Sequence, residues 1–128
     1  MIYFIEDSRK FIKIGKADDP DARLKHLQTA NPSKLKIKAL LEGSYQTEAS
    51  LHYMFSHIKK NGEWFRYTDE LKLFIAAIHN NPNIKNILEL QKISLQYTIK
   101  KKAKRLKKKG NNKLSSRIKL LGMANKPG

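Results

Sequence analysis

The 128-residue chain carries 27 Lys and Arg residues against 11 Asp and Glu, a formal charge of +16, and 40% of it is apolar. This size and composition predict one globular core, and the absence of Cys excludes disulfides and thiolate zinc sites. No apolar run is long enough to span a bilayer, and the N-terminal one breaks at Glu6 and Asp7, so we expect neither a membrane span nor a signal peptide, and a cytoplasmic protein.

The N-terminal segment predicts a β-hairpin followed by a helix. Met1–Ile5 and Phe11–Ile14 are short β-favouring runs separated by polar residues. Next comes Asp19, which can cap a helix, followed by a proline in the position that favours the first helical turn. A helix is therefore expected from about Pro20 to Ala30.

The middle of the chain predicts one more strand and two more helices. Leu35–Leu41 alternates as a strand does, and Ser44 is a typical N-cap for a helix that carries Glu48 in its first turn. Glu63–Arg66 is a short extended piece, and Thr68 precedes a third helix. The apolar stripes expected to face the core are Leu51, Met54, Phe55 and Ile58 in the second helix, and Leu71, Phe74, Ile75 and Ile78 in the third.

The C-terminal third predicts a long helix with two different halves. Nothing breaks the pattern from Ile84 to about Lys109, and a further short helix is expected near residues 117–121. The residues of the first half that are expected to dock on the core are Ile84, Ile87, Leu88 and Leu95. The second half carries eight cations in ten positions, namely Lys100, Lys101, Lys102, Lys104, Arg105, Lys107, Lys108 and Lys109. Because like charges at this spacing repel, we expect this half to fray in solution and to order against phosphates.

The positive charge is concentrated in that segment. Residues 1–83 hold 13 Lys and Arg against 10 acids, whereas residues 84–128 hold 14 against Glu89 alone. A polyanion is the natural partner for such a tail, and we rank nucleic acid ahead of an anionic membrane surface or a merely solvated tail. We therefore predict a core domain at 1–83 and a nucleic-acid-binding helical extension at 84–128.

Several short motifs follow one another along the core. They are Met1-Ile2-Tyr3, Lys13-Ile14-Gly15, and residues 15–24, 47–52 and 62–65. Together they resemble the GIY-YIG endonuclease superfamily, especially its short phage-type branch. The two triplets stand at its two signature triplets, residues 15–24 look like the nuclease half of the bacterial excision-repair incision enzyme, and the last two segments are similar to later motifs. The resemblance covers residues 1–66, and it implies an α/β fold with a small, mainly antiparallel three-stranded sheet flanked by helices, followed here by the basic helical extension.

Phosphodiester hydrolysis also assigns roles to the matched residues. A fixed guanidinium, for which Arg23 is the candidate, stabilises charge on the phosphoryl oxygens. A single carboxylate can bind hydrated Mg²⁺ or Mn²⁺ as a Lewis acid, and Glu48 is the candidate. Tyr3, Lys16 and His26 are candidates for positioning or deprotonating the attacking water. One such site cuts one strand, and a double-strand cut requires two events or a DNA-induced dimer.

The second signature tyrosine, which similar enzymes can use as general base, is Lys13 here. That lysine is a further catalytic candidate if its surroundings favour the neutral amine, and His52 is a weaker one. Asn61 lies one position away from an asparagine of the pattern and is also a weak candidate. A zinc site at His26, His52 and His57 is disfavoured because their spacing matches no closed ligand set.

The rival hypothesis is a scaffold of this type that binds DNA or RNA with little or no catalysis, and the replacement by Lys13 is its best support. A third alternative is a structured-RNA or ribosome-associated protein. Duplex DNA is the expected partner of a monomer or a DNA-induced dimer, with RNA as an alternative and no membrane partner.

Overall fold

A computed structural model describes residues 1–109, with side chains described through Leu106. The described chain forms five strands, four helices and a short 3-10 turn at Ser56–Ile58. The elements are β1 (Ile2–Glu6), β2 (Phe11–Lys16), α1 (Pro20–Thr29), β3 (Lys36–Leu41), α2 (Tyr45–Met54), β4 (Lys59–Asn61), β5 (Trp64–Arg66), α3 (Asp69–Asn80) and α4 (Ile87–Lys109). The predicted short helix near residues 117–121 and the rest of the tail lie outside the described residues.

A buried carboxylate shapes the turn of the predicted hairpin. Asp7 Oδ1 accepts hydrogen bonds from the backbone N–H groups of Arg9 and Phe11, at 2.9 and 3.0 Å. Between them, Lys10 adopts a left-handed conformation with φ of 69°, which a non-glycine residue tolerates when neighbouring contacts hold the turn. The hairpin therefore has a defined register, with Ile2 opposite Lys16 and Tyr3 opposite Gly15.

Side chains cap the three core helices at the predicted places. Asp19 Oδ1 accepts from the Ala22 N–H at the start of α1. At the start of α2, Ser44 and Thr47 form a capping box, in which each side chain accepts from the backbone N–H of the other. Thr68 caps α3. Because these bonds satisfy helix-start donors locally, the helix starts follow from the sequence.

The sheet has five strands, so the prediction of three was wrong. All pairings are antiparallel and the order is β3-β1-β2-β5-β4. The two additional strands have only three residues each, and β4 is exposed along its whole length, so it lacks the alternating pattern that predicts a strand. The exposed edges carry lysines, with Lys36 on β3 and Lys59 and Lys60 on β4.

The sheet separates two apolar layers. On one face, Tyr3, Ile5 and Leu35 are buried against Leu24 and Leu27 of α1. On the other face, the larger layer joins β1 and β2 to the helices that follow; its most buried members include Ile2, Phe4, Ile12, Ile14, Leu51, Phe55, Leu71 and Phe74. The predicted stripes of α2 and α3 face this layer, and so does Phe65. Helix α1 and helices α2 and α3 therefore cover opposite faces.

The segment around the start of α4 docks on the larger layer through two of the four predicted residues. Ile84 and Ile87 pack against the core, as predicted, and Leu90 is fully buried, but the predictions for Leu88 and Leu95 were wrong, since these residues are 61% and 48% exposed. The helix begins at Ile87 instead of Ile84, because Asn86 Oδ1 accepts from the N–H groups of the first turn.

By internal contacts the chain divides into two compact units, Met1–Leu95 and a second that starts at Gln96. The predicted domains at 1–83 and 84–128 stay a prediction, since they concern where nucleic-acid binding begins. Within residues 1–109, no helix combines the length and apolarity that crossing a bilayer requires.

Candidate functional site

The first unit gathers several helix and strand ends at one end of the sheet, here called the Lys16 end. Ile2 pairs with both Lys16 and Leu41, so β1 begins where β2 and β3 finish. Helix α1 begins at Pro20, four residues after β2, and α2 begins at Tyr45, four residues after β3. Short connections of this kind keep the N-termini of both helices near the Lys16 end.

Arg23 and Glu48 occupy equivalent places in these two helices. Each is the fourth residue of its helix, and its N–H donates to the carbonyl of the capping residue, Asp19 or Ser44. Both side chains are partly exposed, and within residues 1–106 neither forms an ion pair or side-chain hydrogen bond. Because α1 and α2 cover opposite faces of the sheet, Arg23 and Glu48 lie on different faces. What they have in common is that both lie near the Lys16 end of the strands. Their convergence on one phosphate stays a prediction.

Tyr3 lies across Gly15 on the face covered by α1. A Cβ atom on Gly15 would stand 2.2 Å from Tyr3 Oη and 2.4 Å from Cζ, so only glycine leaves room for the ring. Tyr3 is 1% exposed. Among the described residues, its hydroxyl has no hydrogen-bond partner. The signature glycine therefore shapes the seat of the signature tyrosine.

Lys16 lies on the opposite face and reaches the start of α2. Its Nζ is 4.5 Å from the centroid of the Tyr45 ring and 3.8 Å from Asp18 Oδ1, and its side chain is 18% exposed. Tyr45 and Glu48 are neighbours on the surface of α2, since they are three residues apart. The ammonium therefore lies on the same side of the sheet as the candidate metal ligand.

Lys13 is held by an ion pair that the sequence did not indicate. Its Nζ is 3.0 Å from Glu63 Oε2 and 5.4 Å from the centroid of the Trp64 ring. The pair forms because β5 lies beside β2, with Lys13 opposite Trp64. On the Tyr3 face, Lys13 therefore links β2 to the start of β5, at the position where the second signature tyrosine would stand.

The histidines are separate from one another. His52, one turn after Glu48, donates from Nε2 to the Ile14 carbonyl at 2.8 Å and meets the Phe65 ring edge-on at 5.0 Å. His57 pairs with Glu70 Oε2 at 2.7 Å. His26 is exposed on α1. Residues 1–106 contain no cluster of three His or acidic residues suited to a metal.

Asn61 ends β4 and lies, across Trp64 of β5, level with Lys13 in the middle of β2. It borders a small polar cavity together with Asp7 and Phe11, at the turn between β1 and β2. Lys60 lies over the Phe11 ring there, 3.9 Å from its centroid. The structure therefore does not bring Asn61 to the Lys16 end.

The described cations of the predicted binding segment are exposed on α4 and belong to the second unit. They are Lys100, Lys101, Lys102, Lys104 and Arg105. Lys107, Lys108 and Lys109 continue the helix, and their side chains lie outside the described part of the chain. The role of these cations in binding nucleic acid stays a prediction.

One residue of the Lys16 end escaped the sequence analysis. Tyr45, the first residue of α2, is 74% exposed, and its ring stands over Lys16. The available signal was an aromatic residue directly after an N-cap, where no core contact is expected. The role of this exposed ring depends on its neighbour Lys16 in β2, and the sequence alone does not show that the two residues meet.

Comparison with known proteins places the chain in a family. The model of the T5orf172 domain matches residues 1–80, which is more than half of the chain and includes every strand and the first three helices. No curated protein and no solved structure matches. The matched span contains the Lys16 end with Tyr3, Arg23 and Glu48, and it ends before the basic segment. The chain therefore belongs to the T5orf172 domain family, a family related to phage nucleases.

Proposed function

We propose that this protein is a metal-dependent DNA endonuclease of the GIY-YIG type, which hydrolyses phosphodiester bonds one strand at a time. The observation that carries the proposal is the shared placement of Arg23 and Glu48. Both occupy the first turn of a helix that starts at the Lys16 end, and both side chains lack a protein partner among the described residues. Membership of a nuclease-related family supports a nuclease-like or DNA-binding module.

The two groups would divide the electrostatic work. The Arg23 guanidinium would stabilise the charge that builds on the phosphoryl oxygens, and its planar fork suits a phosphate. Glu48 fits a hydrated Mg²⁺ or Mn²⁺ ion, because it is a partly exposed carboxylate with no ion pair and no neighbouring ligand cluster in the described chain. Mg²⁺ keeps most of its waters, so one carboxylate can hold it near a phosphate. The ion would supply Lewis acidity when bound.

Tyr3 is the best-placed candidate to orient or deprotonate the attacking water. Its ring is fixed against Gly15, and its hydroxyl has no hydrogen-bond partner among the described residues. Lys16 remains in the proposal as a group at the same end, and His26 remains as an exposed residue in the last turn of α1, three residues after Arg23. Lys13 is a weaker candidate for the general base, because its ammonium already contacts Glu63. The basic segment of α4 would supply affinity for duplex DNA through phosphate contacts, with the protein acting as a monomer or a DNA-induced dimer.

A plasmid assay tests the proposal. Supercoiled DNA is incubated with Mg²⁺ or Mn²⁺ and either the wild type, Arg23→Ala or Glu48→Ala. Matched controls are Arg66→Ala and Glu89→Ala, which remove an exposed cation and an exposed acid from other places. We expect nicking by the wild type and both controls, and a loss of about a hundredfold or more in each site variant while DNA binding persists. Equal nicking by all five proteins would exclude this site.

A second candidate function is a DNA- or RNA-binding module without catalysis. It is favoured by the Lys13–Glu63 pair, which occupies the place of the second signature tyrosine. This candidate predicts no nicking by the wild type with either metal, together with tight DNA binding. Competition between duplex DNA and structured RNA separates a DNA partner from an RNA or ribosomal one, because only the latter predicts equal or stronger displacement by RNA.

A further inference from the structure

Two tyrosines of α2 face solvent on one side of the helix. Tyr45 is 74% exposed and Tyr53 is 84% exposed, whereas Leu51 of the same helix is fully buried. The tyrosines are eight residues apart, which corresponds to about 12 Å along the axis and about 80° around it. They therefore share a face of the helix, and the fold gives neither ring a core contact that would explain an aromatic residue there.

Tyr45 is seated on a cation. Lys16 Nζ lies 4.5 Å from the ring centroid, and the Lys16 side chain is itself mostly covered. A cation against a ring face is attractive and restricts the orientation of the ring. Since the residue is still 74% exposed, the other face of the ring is open to a flat ligand. The charge beneath it favours a ligand that is linked to phosphates.

Tyr53 borders a cavity of suitable chemistry. An open, mainly apolar cavity of about 640 Å³ lies between α2 and the first turns of α4. Ala49 and Met54 line it from α2, and Ile87 and Leu88 line it from α4. Its size is within the range of small-molecule sites, and it lies entirely within the first unit. A nucleobase stacked on Tyr53 would have apolar surface beside it.

We propose that Tyr45 and Tyr53 form a stacking platform for unpaired bases of a DNA strand whose backbone passes Glu48. This inference rests on the proposed function, because it names the part of the substrate that lies beside the proposed cleavage site. Bases inside a duplex stack on one another at about 3.4 Å along each strand, so they offer no free face to rings about 12 Å apart. Unpaired bases do offer one, and every base has such a face. The platform therefore selects unpaired structure without selecting sequence.

The test measures binding in the full chain with Glu48→Gln, so that cleavage does not interfere. The probes are a fluorescent single strand of mixed sequence and a covalently closed duplex that contains the same sequence. Tyr45→Leu and Tyr53→Leu remove the rings but keep apolar surface, and Tyr45→Phe and Tyr53→Phe keep the rings. We expect each Leu variant to weaken single-strand binding about tenfold relative to the Glu48→Gln chain, within the range for base–aromatic stacking. Duplex binding should not change. Both Phe variants should bind the single strand as tightly as the Glu48→Gln chain does.

Two results would overturn the platform. One is unchanged single-strand binding in both Leu variants, and the other is an equal loss on the single strand and the closed duplex, which would indicate a general surface effect. Failure of the endonuclease proposal looks different. A wild type that never nicks plasmid, with selective single-strand losses in the Leu variants, would remove the catalytic proposal and retain the platform.

Discussion

The packing of the Tyr3 ring over Gly15 leads to a stability prediction. An Ala at position 15 would bring its Cβ to 2.2 Å from Tyr3 Oη and 2.9 Å from Cε1, far inside van der Waals contact. The ring cannot swing away freely because Tyr3 is 1% exposed and belongs to the layer under α1. We expect Gly15→Ala to lower the free energy of unfolding by about 3 kcal/mol, the upper part of the range for overpacking a core. With a urea dependence of about 2 kcal/mol per molar, the midpoint falls by about 1.5 M.

The controls separate crowding from backbone strain. Gly62 has φ of +52°, and a Cβ atom added there would meet no other atom within 4 Å, so Gly62→Ala costs about 1 kcal/mol through conformation alone. In the double variant Gly15→Ala with Tyr3→Leu, the clash disappears, and the loss should be at least about 1 kcal/mol smaller than the sum of the two single losses. Strict additivity, or a loss below about 0.5 kcal/mol for Gly15→Ala, would show that the ring does not lie across position 15.

Leu90→Ala is expected to cost about 2–5 kcal/mol because it empties a fully buried site, whereas the exposed Leu88→Ala stays within about 0.5 kcal/mol; equal urea midpoints would refute the docking of α4. Ser44→Ala removes the capping box and should lower the free energy of unfolding by about 1 kcal/mol in the same assay. An unchanged urea midpoint would show that the cap does not stabilise the fold. If about ten of the 14 cations in residues 84–128 contact phosphate, log K for duplex DNA falls with log[salt] at a slope of about −9. A chain ending at Ile99 should lose most of that slope, and a full-length slope shallower than about −3 would mean that another surface holds the DNA.

The local chemistry of the chain was enough to predict the helix starts and the core stripes. Asp19 and Ser44 accept from backbone N–H groups two or three residues ahead, so their roles depend only on nearby residues. Leu51 and Phe74 lie at helical spacing with apolar neighbours and are fully buried. For the same reason, the first turn that holds Glu48 could be located before any tertiary contact was known.

Features that depend on pairing between distant segments could not be predicted. Strand β4 is exposed throughout and exists because β5 lies beside it, and Lys13 meets Glu63 only after β5 joins β2. The predictions at Leu88 and Leu95 were wrong because these residues lie about 100° and 80° around the helix from Ile87, beside the stripe that meets the core, and which side of the helix docks is decided by tertiary packing. The same contrast holds for the candidate site. Its residue types could be predicted from local motifs, but the distances between them depend on how the strands pair.

The lysines on the two borders of the sheet have a consequence for handling the protein. A bare strand edge is a template for another sheet, and the exposed cations Lys59 and Lys60 oppose that addition at β4 by mutual repulsion. The β3 border carries Lys36, and its backbone is also contacted by His79 of α3 at the Lys38 carbonyl. Salt weakens such repulsion, since at about 1 M the screening length is about 3 Å. The concentrated salt that would strip nucleic acid from a preparation would also remove this barrier, and fibre growth should then be fastest in the purest and saltiest samples.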